Sequence, residues 1–288
     1  MKHNKVKISI VIVNYNSTKN LNKLLHSLLK IKKNIKETIV VDNNSSDINL
    51  LDKKQDILLL KNKQNIGFSH GVNQGIKIAK AELILLLNPD SFLENKSVLK
   101  TILLIETNPK IGLIGGKIKK YHSDKYQYTA TTKPTFLTGL FEFTNLKKIF
   151  PKNKYSKKFW VENSYKDKKP IDVCSLCGAY LILRKKLNGK TTLFNEKYFL
   201  YLEDIDLGIS IIEKGYKVIF DPRSEITHIG GQSNNSKYKM VLKHWYKSRK
   251  IFFYNHINII ESRILGILFT IEEILLTVYH YIIKTPNE

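Results

Sequence analysis

Two hydrophobic rhythms alternate along the chain. Ile8-Ser9-Ile10-Val11-Ile12-Val13-Asn14 is a β-branched run that ends in the polar turn Asn14-Tyr15-Asn16-Ser17, the pattern of a buried strand. Leu21, Leu24, Leu25, Leu28 and Leu29 then recur at i, i+3, i+4, i+7 and i+8, which predicts an amphipathic helix capped by Ser17 or Thr18. Residues 37–41 predict a second strand, running into the turn-and-cap stretch Asp42-Asn43-Asn44-Ser45-Ser46-Asp47. Residues 57–60 predict a third, and Val72, Ile76 and Ala79 place a helix behind the glycine-containing stretch 67–75. The run 82–87 is unbroken and apolar, and it stops abruptly at Asn88-Pro89-Asp90. Asn95 or Ser97 can cap a helix carrying Val98, Ile102 and Ile105, and residues 111–118 return as a strand.

Such alternation predicts an α/β fold with a largely parallel, doubly wound sheet. Ligands of such sheets bind outside the carboxyl ends of the strands, which is where Asp42 and Asp90 fall. Over 121–169 the period dissolves, predicting an irregular insertion that shapes an acceptor site. Strand-like pieces return at 172–174 and 179–183. An aromatic stretch then leads into Glu203-Asp204-Ile205-Asp206, and Leu207, Ile211 and Ile212 continue at helical spacing. Residues 217–220 predict a short strand ending at Asp221-Pro222, with His228 in the loop beyond. Residues 238–255 and 259–283 predict two terminal helices.

The second of these is interrupted by Glu261, Arg263, Glu272 and Glu273, so it does not read as a bilayer crossing. Packing against the domain or a partner, and lying at a membrane interface, both fit it. Each polar feature also has a plain structural reading: Asp90 as a turn residue, Gly67 as a loop glycine, Glu203 and Asp204 as acids at the favourable end of a helix dipole.

Charge narrows the partners. Lys+Arg of 48 against Asp+Glu of 25 give a net +23, which predicts an anionic partner such as nucleic acid, acidic lipid headgroups or a phosphorylated substrate. Arginine occurs only at positions 184, 223, 249 and 263, which disfavours a protein that reads nucleic-acid sequence. Cys174 and Cys177 form a lone C-x-x-C without a second ligand pair and read first as two buried small hydrophobes, with a redox or metal role as the lesser alternative. The scarcity of cysteine and the polar start predict a cytoplasmic setting.

The stretches Val11-Ile12-Val13-Asn14-Tyr15-Asn16, Val40 through Asp47, Asn65-Ile66-Gly67-Phe68 with Asn73-Gln74-Gly75, Leu87-Asn88-Pro89-Asp90, Leu202 through Asp206 and His228-Ile229-Gly230-Gly231 stand in one order. Together they resemble the inverting family 2 glycosyltransferases of GT-A fold, and within them the bacterial rhamnosyltransferase-like branch. The resemblance implies a Rossmann-like nucleotide-sugar-binding half at 1–120, an acceptor-binding and catalytic half at 121–235, and a C-terminal helical extension at 236–288.

By the same resemblance, Asp42 accepts the N3–H of uracil or thymine, with Asn14 and Tyr15 lining the base pocket. Asn65 and Gly67 stand near ribose and pyrophosphate. Asp90 takes the place of the last acid of a D-x-D motif and, with His228, binds Mn2+ or Mg2+. Asn88 occupies a position where many relatives have aspartate. Asp204 is the base at the acceptor hydroxyl, Glu203 orients it or the acceptor, and Asp206 supports the site. The Q-x-x-R-W motif of processive synthases is absent, implying one sugar added per encounter. The expected reaction moves a sugar, rhamnose favoured, from a dTDP- or UDP-sugar to a cell-surface glycan or lipid-linked acceptor. It is expected in the cytoplasm or at the inner face of the membrane, with peripheral attraction to anionic lipid. The competing expectation is an inactive transferase-like module that binds membrane or nucleic acid through its basic surface.

Overall fold

The computed structural model describes residues 6–161, 168–230 and 235–284, so residues 162–167 of the insertion and Gly231 lie outside the described residues. The first half follows the hydrophobic rhythm: β1 (Ile8–Asn14), α1 (Thr18–Leu28), β2 (Ile35–Asp42), β3 (Leu58–Lys61), α2 (Phe68–Ile78), β4 (Leu83–Leu87), β5 (Ser91–Phe92), α3 (Val98–Thr107) and β6 (Ile111–Lys120). The insertion carries β7 (Tyr126–Gln127), β8 (Ala130–Thr131), α4 (Phe136–Glu142), α5 (Leu146–Ile149) and α6 (Lys154–Phe159). Then come β9 (Ile171–Asp172), β10 (Ser175–Leu176), β11 (Tyr180–Arg184), β12 (Lys186–Leu187), β13 (Lys190–Thr191), α7 (Glu203–Glu213), β14 (Lys217–His228), α8 (Asn235–His256) and α9 (Ile259–Lys284).

The main sheet runs β3-β2-β1-β4-β11-β6-β14-β5. It is mostly parallel, with β11 inserted antiparallel between β4 and β6. Because side chains alternate along a strand, β1 serves both faces. Ile8, Ile10 and Ile12 pack with Leu21 and Leu24 of α1 and Ile102 of α3, whereas Val11 and Val13 pack with Val72 and Ile76 of α2 and Ile211 of α7. Gly75 allows α2 to approach closely, since a Cβ there would lie 2.5 Å from a Val11 methyl.

Several local expectations are corrected. Neither Ser17 nor Thr18 caps α1 with its own side chain; the Asp47 carboxylate, distant in sequence, accepts the Thr18 N–H at 3.0 Å and the Thr18 hydroxyl at 2.7 Å. Of the two candidates ahead of α3, Ser97 does not cap it, because its hydroxyl exchanges hydrogen bonds with the Glu225 backbone, whereas Asn95 Oδ1 accepts the Ser97 N–H at 2.7 Å. The insertion is not irregular throughout, since three short helices form around aromatic contacts such as Phe141 stacked on Tyr155. His228 is not in a loop: it ends β14, whose pairing with β6 continues past Pro222 through a register shift between Asp221 and Glu225. Proline is tolerated at such a bulge. Arg223 turns back onto Asp221 through two 2.8 Å bonds, and Gly116 of β6 makes room, since a Cβ there would lie 2.3 Å from the Ser224 carbonyl oxygen.

The terminal helices dock on the second half. Phe252, Phe253, Leu265 and Phe269 close a core with Phe143, Phe159, Leu202 and Ile205. Within it Arg249, 1% exposed, pairs with Glu272 and donates to the carbonyls of Phe143 (2.6 Å) and Phe269 (3.1 Å). Among the described residues no helix is long and apolar enough to cross a membrane.

Candidate active site

β1 and β2 end side by side, with Asn14 opposite Asp42 in register. Asn14 is fully buried, and its amide reaches Asp42 Oδ1 (2.9 Å), Ser45 Oγ (3.0 Å) and Thr18 Oγ1 (3.2 Å). Asp42 also accepts the Ser45 N–H at Oδ2 (3.0 Å), yet each carboxylate oxygen has a second lone pair for a ligand. Tyr15 lies half-buried beside this pair. Asn43 ties the strand end to the next loop, donating to the Gly67 carbonyl at 3.0 Å and to Asn65 Oδ1 at 3.3 Å.

Gly67 opens α2 with φ +88, and a Cβ there would lie 2.7 Å from the Phe199 carbonyl oxygen. Both facts demand glycine. Its N–H serves Asn65 Oδ1 (3.0 Å), and the Phe68 N–H serves Phe199 (2.8 Å). The mouth of α2 is thus tied to the loop before α7, on which His244 of α8 stacks through Phe199 with ring centroids 3.9 Å apart.

Past β4, Asn88 is half-buried and its backbone N–H donates to Ala179. Asp90 Oδ1 lies 3.0 Å from His228 Nε2, and Oδ2 accepts the Gly230 N–H at 3.1 Å. Burial raises the Asp90 carboxyl, but the hydrogen bond and charge of His228 and the Gly230 N–H outweigh it and hold the group below its ordinary value. Gln127, which sequence reasoning missed, fixes the imidazole. Its amide nitrogen donates to Cys177 Sγ (3.4 Å), so its oxygen faces His228 Nδ1 at 3.1 Å. Nδ1 therefore carries hydrogen, and Nε2 is the atom presented to Asp90.

A divalent cation fits this pair by its donor chemistry. Among the described residues no group of three or more His, Cys, Asp or Glu gathers, so the chain offers one carboxylate and one imidazole. That suits an ion which keeps waters and takes substrate phosphates as its other ligands. The second ring nitrogen of His228 is oriented as a metal-ligating histidine requires.

The acidic end of α7 is reached through two consecutive left-handed residues, Tyr201 (φ 73) and Leu202 (φ 68), a strained entry of the kind found at functional sites. It turns Glu203 into the core and leaves Asp204 half-buried. Asp204 accepts the Gly178 N–H at 2.9 Å and the Ile205 N–H at 2.9 Å. Burial pushes its carboxyl up against these donors. Glu203, 6% exposed and with Oε2 unpartnered, is pushed well above the ordinary range by burial and then by the charge of Asp204. Of the two carboxyls, Glu203 is raised the further. Asp206 points elsewhere, accepting from the Tyr198 hydroxyl (3.1 Å) and lying 2.8 Å from His256 Nε2, which ties α7 to α8.

Gly178 is the meeting point. A Cβ there would lie 3.6 Å from the Phe68 ring and 3.8 Å from Asp204 Cβ. Cys174 and Cys177 form no disulfide; Cys174 is buried as expected, Cys177 only half-buried, and burial pushes their thiols up to about 11 and about 12, in keeping with unreactive thiols.

The model of Glycosyl transferase family 2 matches residues 9–182. The sequence is 23% identical over 259 residues to an N-acetylglucosaminyl-diphospho-decaprenol L-rhamnosyltransferase of Mycobacterium tuberculosis, covering 85% of this chain and 83% of that protein. It is 26% identical over 204 residues to the low-salt glycan biosynthesis hexosyltransferase Agl10 of Haloferax volcanii, covering 69% and 59%. The crystal structure of GalNAc-T7 with UDP, GalNAc and Mn2+ superposes with a TM-score of 0.57 at 17% identity; the match covers 88% of this chain and spans 50% of that one. The mannosyltransferase PcManGT from Pyrobaculum calidifontis, in complex with GDP-Man and Mn2+, does so at 0.56 and 12%, covering 86% and 64%.

Proposed function

The chain belongs to glycosyl transferase family 2, and from that premise we propose that it transfers one rhamnosyl residue, with inversion, from a dTDP- or UDP-sugar to a hydroxyl of a lipid-linked or nascent surface glycan. Rhamnose and the lipid-linked acceptor are supported by the relative that is 23% identical over most of both chains and is named for both.

The observation that carries the mechanism is Asp204, a half-buried carboxylate with raised proton affinity at the junction of α2, β11 and α7. Such a group suits general-base work near neutral pH. Asp204 takes the proton of the acceptor hydroxyl as that oxygen bonds to the anomeric carbon. The bond from that carbon to the diphosphate oxygen breaks on the opposite face and its electron pair leaves with the diphosphate, which inverts the centre. Burial and the charge of Asp204 disfavour a second negative charge on Glu203. Asp42 accepts the N3–H of the base, with Asn14 as its buttress and Tyr15 beside it. Asn65 and Gly67 shape the ribose side, and Asn88 lines the diphosphate side. Asp90 and His228 would hold Mn2+ or Mg2+, which when bound neutralises charge on the departing diphosphate. The net +23 supports peripheral contact with an anionic cytoplasmic leaflet.

Calorimetric titration with UDP, dTDP, GDP, ADP and CDP, with and without Mn2+, tests the donor site. The expected result is metal-dependent binding selective for UDP or dTDP and lost in Asp90→Ala. Tight binding of a purine diphosphate alone, or binding indifferent to metal, contradicts it.

A further inference from the structure

α9 is apolar on two opposite edges, and only one is used. Ser262, Leu265 and Phe269 are buried, against α8 and against Gly139 of α4. On the other edge Ile260, Ile264, Ile267, Ile271, Ile274 and Val278 are 70%, 45%, 62%, 49%, 56% and 48% exposed. Their steps of four and three alternate without a break, the 3.5-residue spacing of a helix seam, with β-branched side chains at every seam position. An uninterrupted apolar strip of this kind marks an interaction surface.

Charge indicates what covers it. The chain carries +23, yet it has no lysine between Lys250 and Lys284, and Arg263 is the only arginine there. A helix that lies on anionic lipid gathers lysine and arginine beside its apolar face. A surface that must meet an equally basic surface is instead cleared of them. The strip is roughly 28 Å long and about 10 Å wide, and Leu268 and Leu275, 37% and 63% exposed, widen it. That makes it the apolar core about which an interface of roughly 800 Å2 per partner can close.

We infer that the exposed face of α9 is an isologous interface, pairing two copies of this chain around a two-fold axis. A self-complementary patch closes most simply in this way. The assignment is independent of the donor and acceptor chemistry.

Sedimentation equilibrium of the full chain, wild type and Ile267→Lys/Ile271→Lys, tests it. The wild type is expected at twice the 33.4 kDa chain mass. The double variant is expected as a monomer, its dissociation constant raised at least about 100-fold by two charges placed in the seam, with unchanged circular dichroism and nucleotide binding. Should that variant not fold, a short bis-maleimide on Ile271→Cys decides. Ile271 lies near the middle of the seam, so its copies meet in either orientation, and a covalent dimer is expected there but not with Ile149→Cys. A monomeric wild type at micromolar concentration overturns the inference, as does absence of the cross-link in the Ile271→Cys variant. A monomer that floats with anionic vesicles through this face would assign it to lipid instead.

Discussion

Gly178 donates its N–H to the Asp204 carboxylate across 2.9 Å, while the preceding residue, Cys177, anchors the Gln127 amide that orients His228. One turn before β11 therefore fixes both the Asp204 carboxylate and the imidazole facing Asp90. Ala179 extends the link, receiving the Asn88 N–H. The Asp90–His228 pair and the Asp204 carboxylate share one support.

The Gln127 amide should govern metal affinity without touching substrate. Gln127→Leu removes the acceptor for His228 Nδ1–H, and loss of such an outer partner costs about 10–100-fold in metal affinity. Mn2+ titration followed by electron paramagnetic resonance, at saturating nucleoside diphosphate, should show that loss and a reduced preference for Mn2+ over Mg2+. Unchanged Mn2+ affinity would remove Gln127 from the site.

Glu203 sets a pH dependence of stability. Its folded-state pKa is raised by burial and by Asp204, so its favourable contribution is complete below the unfolded value and is lost as pH rises through the folded one. Thermal midpoints of the wild type should decline from mildly acidic to neutral pH on this account. Glu203→Gln should flatten that decline and raise the midpoint near pH 7.5 by a few degrees, about 2–4 °C for each kcal/mol gained. Equal pH profiles for the two proteins would show that Glu203 is ionised in the fold.

Arg249 and Glu272 form a buried pair that joins α8 to α9. Removing one partner strands the other charge, so Arg249→Met should destabilise by about 3–5 kcal/mol. Adding Glu272→Met should recover much of the loss. Urea unfolding of the full chain reads both; an undisturbed single variant would mean that water already reaches the pair.

Much of the fold is legible in the sequence because its strands are β-branched runs and its helices keep a 3.6-residue period. β1, β2, β4, α1 and α7 follow from those patterns, and a largely parallel sheet follows from their alternation, whereas the GT-A fold is what the family resemblance implies. Asp42 and Asp90 are legible because polar residues that end buried strands face a crevice. What escapes depends on distance. Asp47 caps α1 from 29 positions away, and Gln127 meets His228 from 101. The local pattern of β14 predicts an end at Pro222, because nothing in its own sequence shows that Gly116 admits the bulge. The antiparallel entry of β11 leaves no local trace, since a run buried on both faces looks the same in either direction. The heptad on α9 is obscured by Glu272 and Glu273, which belong to its other edge.

Asp204→Asn isolates proton transfer from packing, because an asparagine oxygen can keep the Gly178 hydrogen bond but cannot act as the base. Nucleotide binding by calorimetry and sugar transfer by product formation are measured on the same preparation. Unchanged UDP or dTDP affinity is expected, with transfer reduced about 10²–10⁴-fold. Transfer at the wild-type rate, or nucleotide binding lost in step with it, would contradict the assignment of Asp204 as the base.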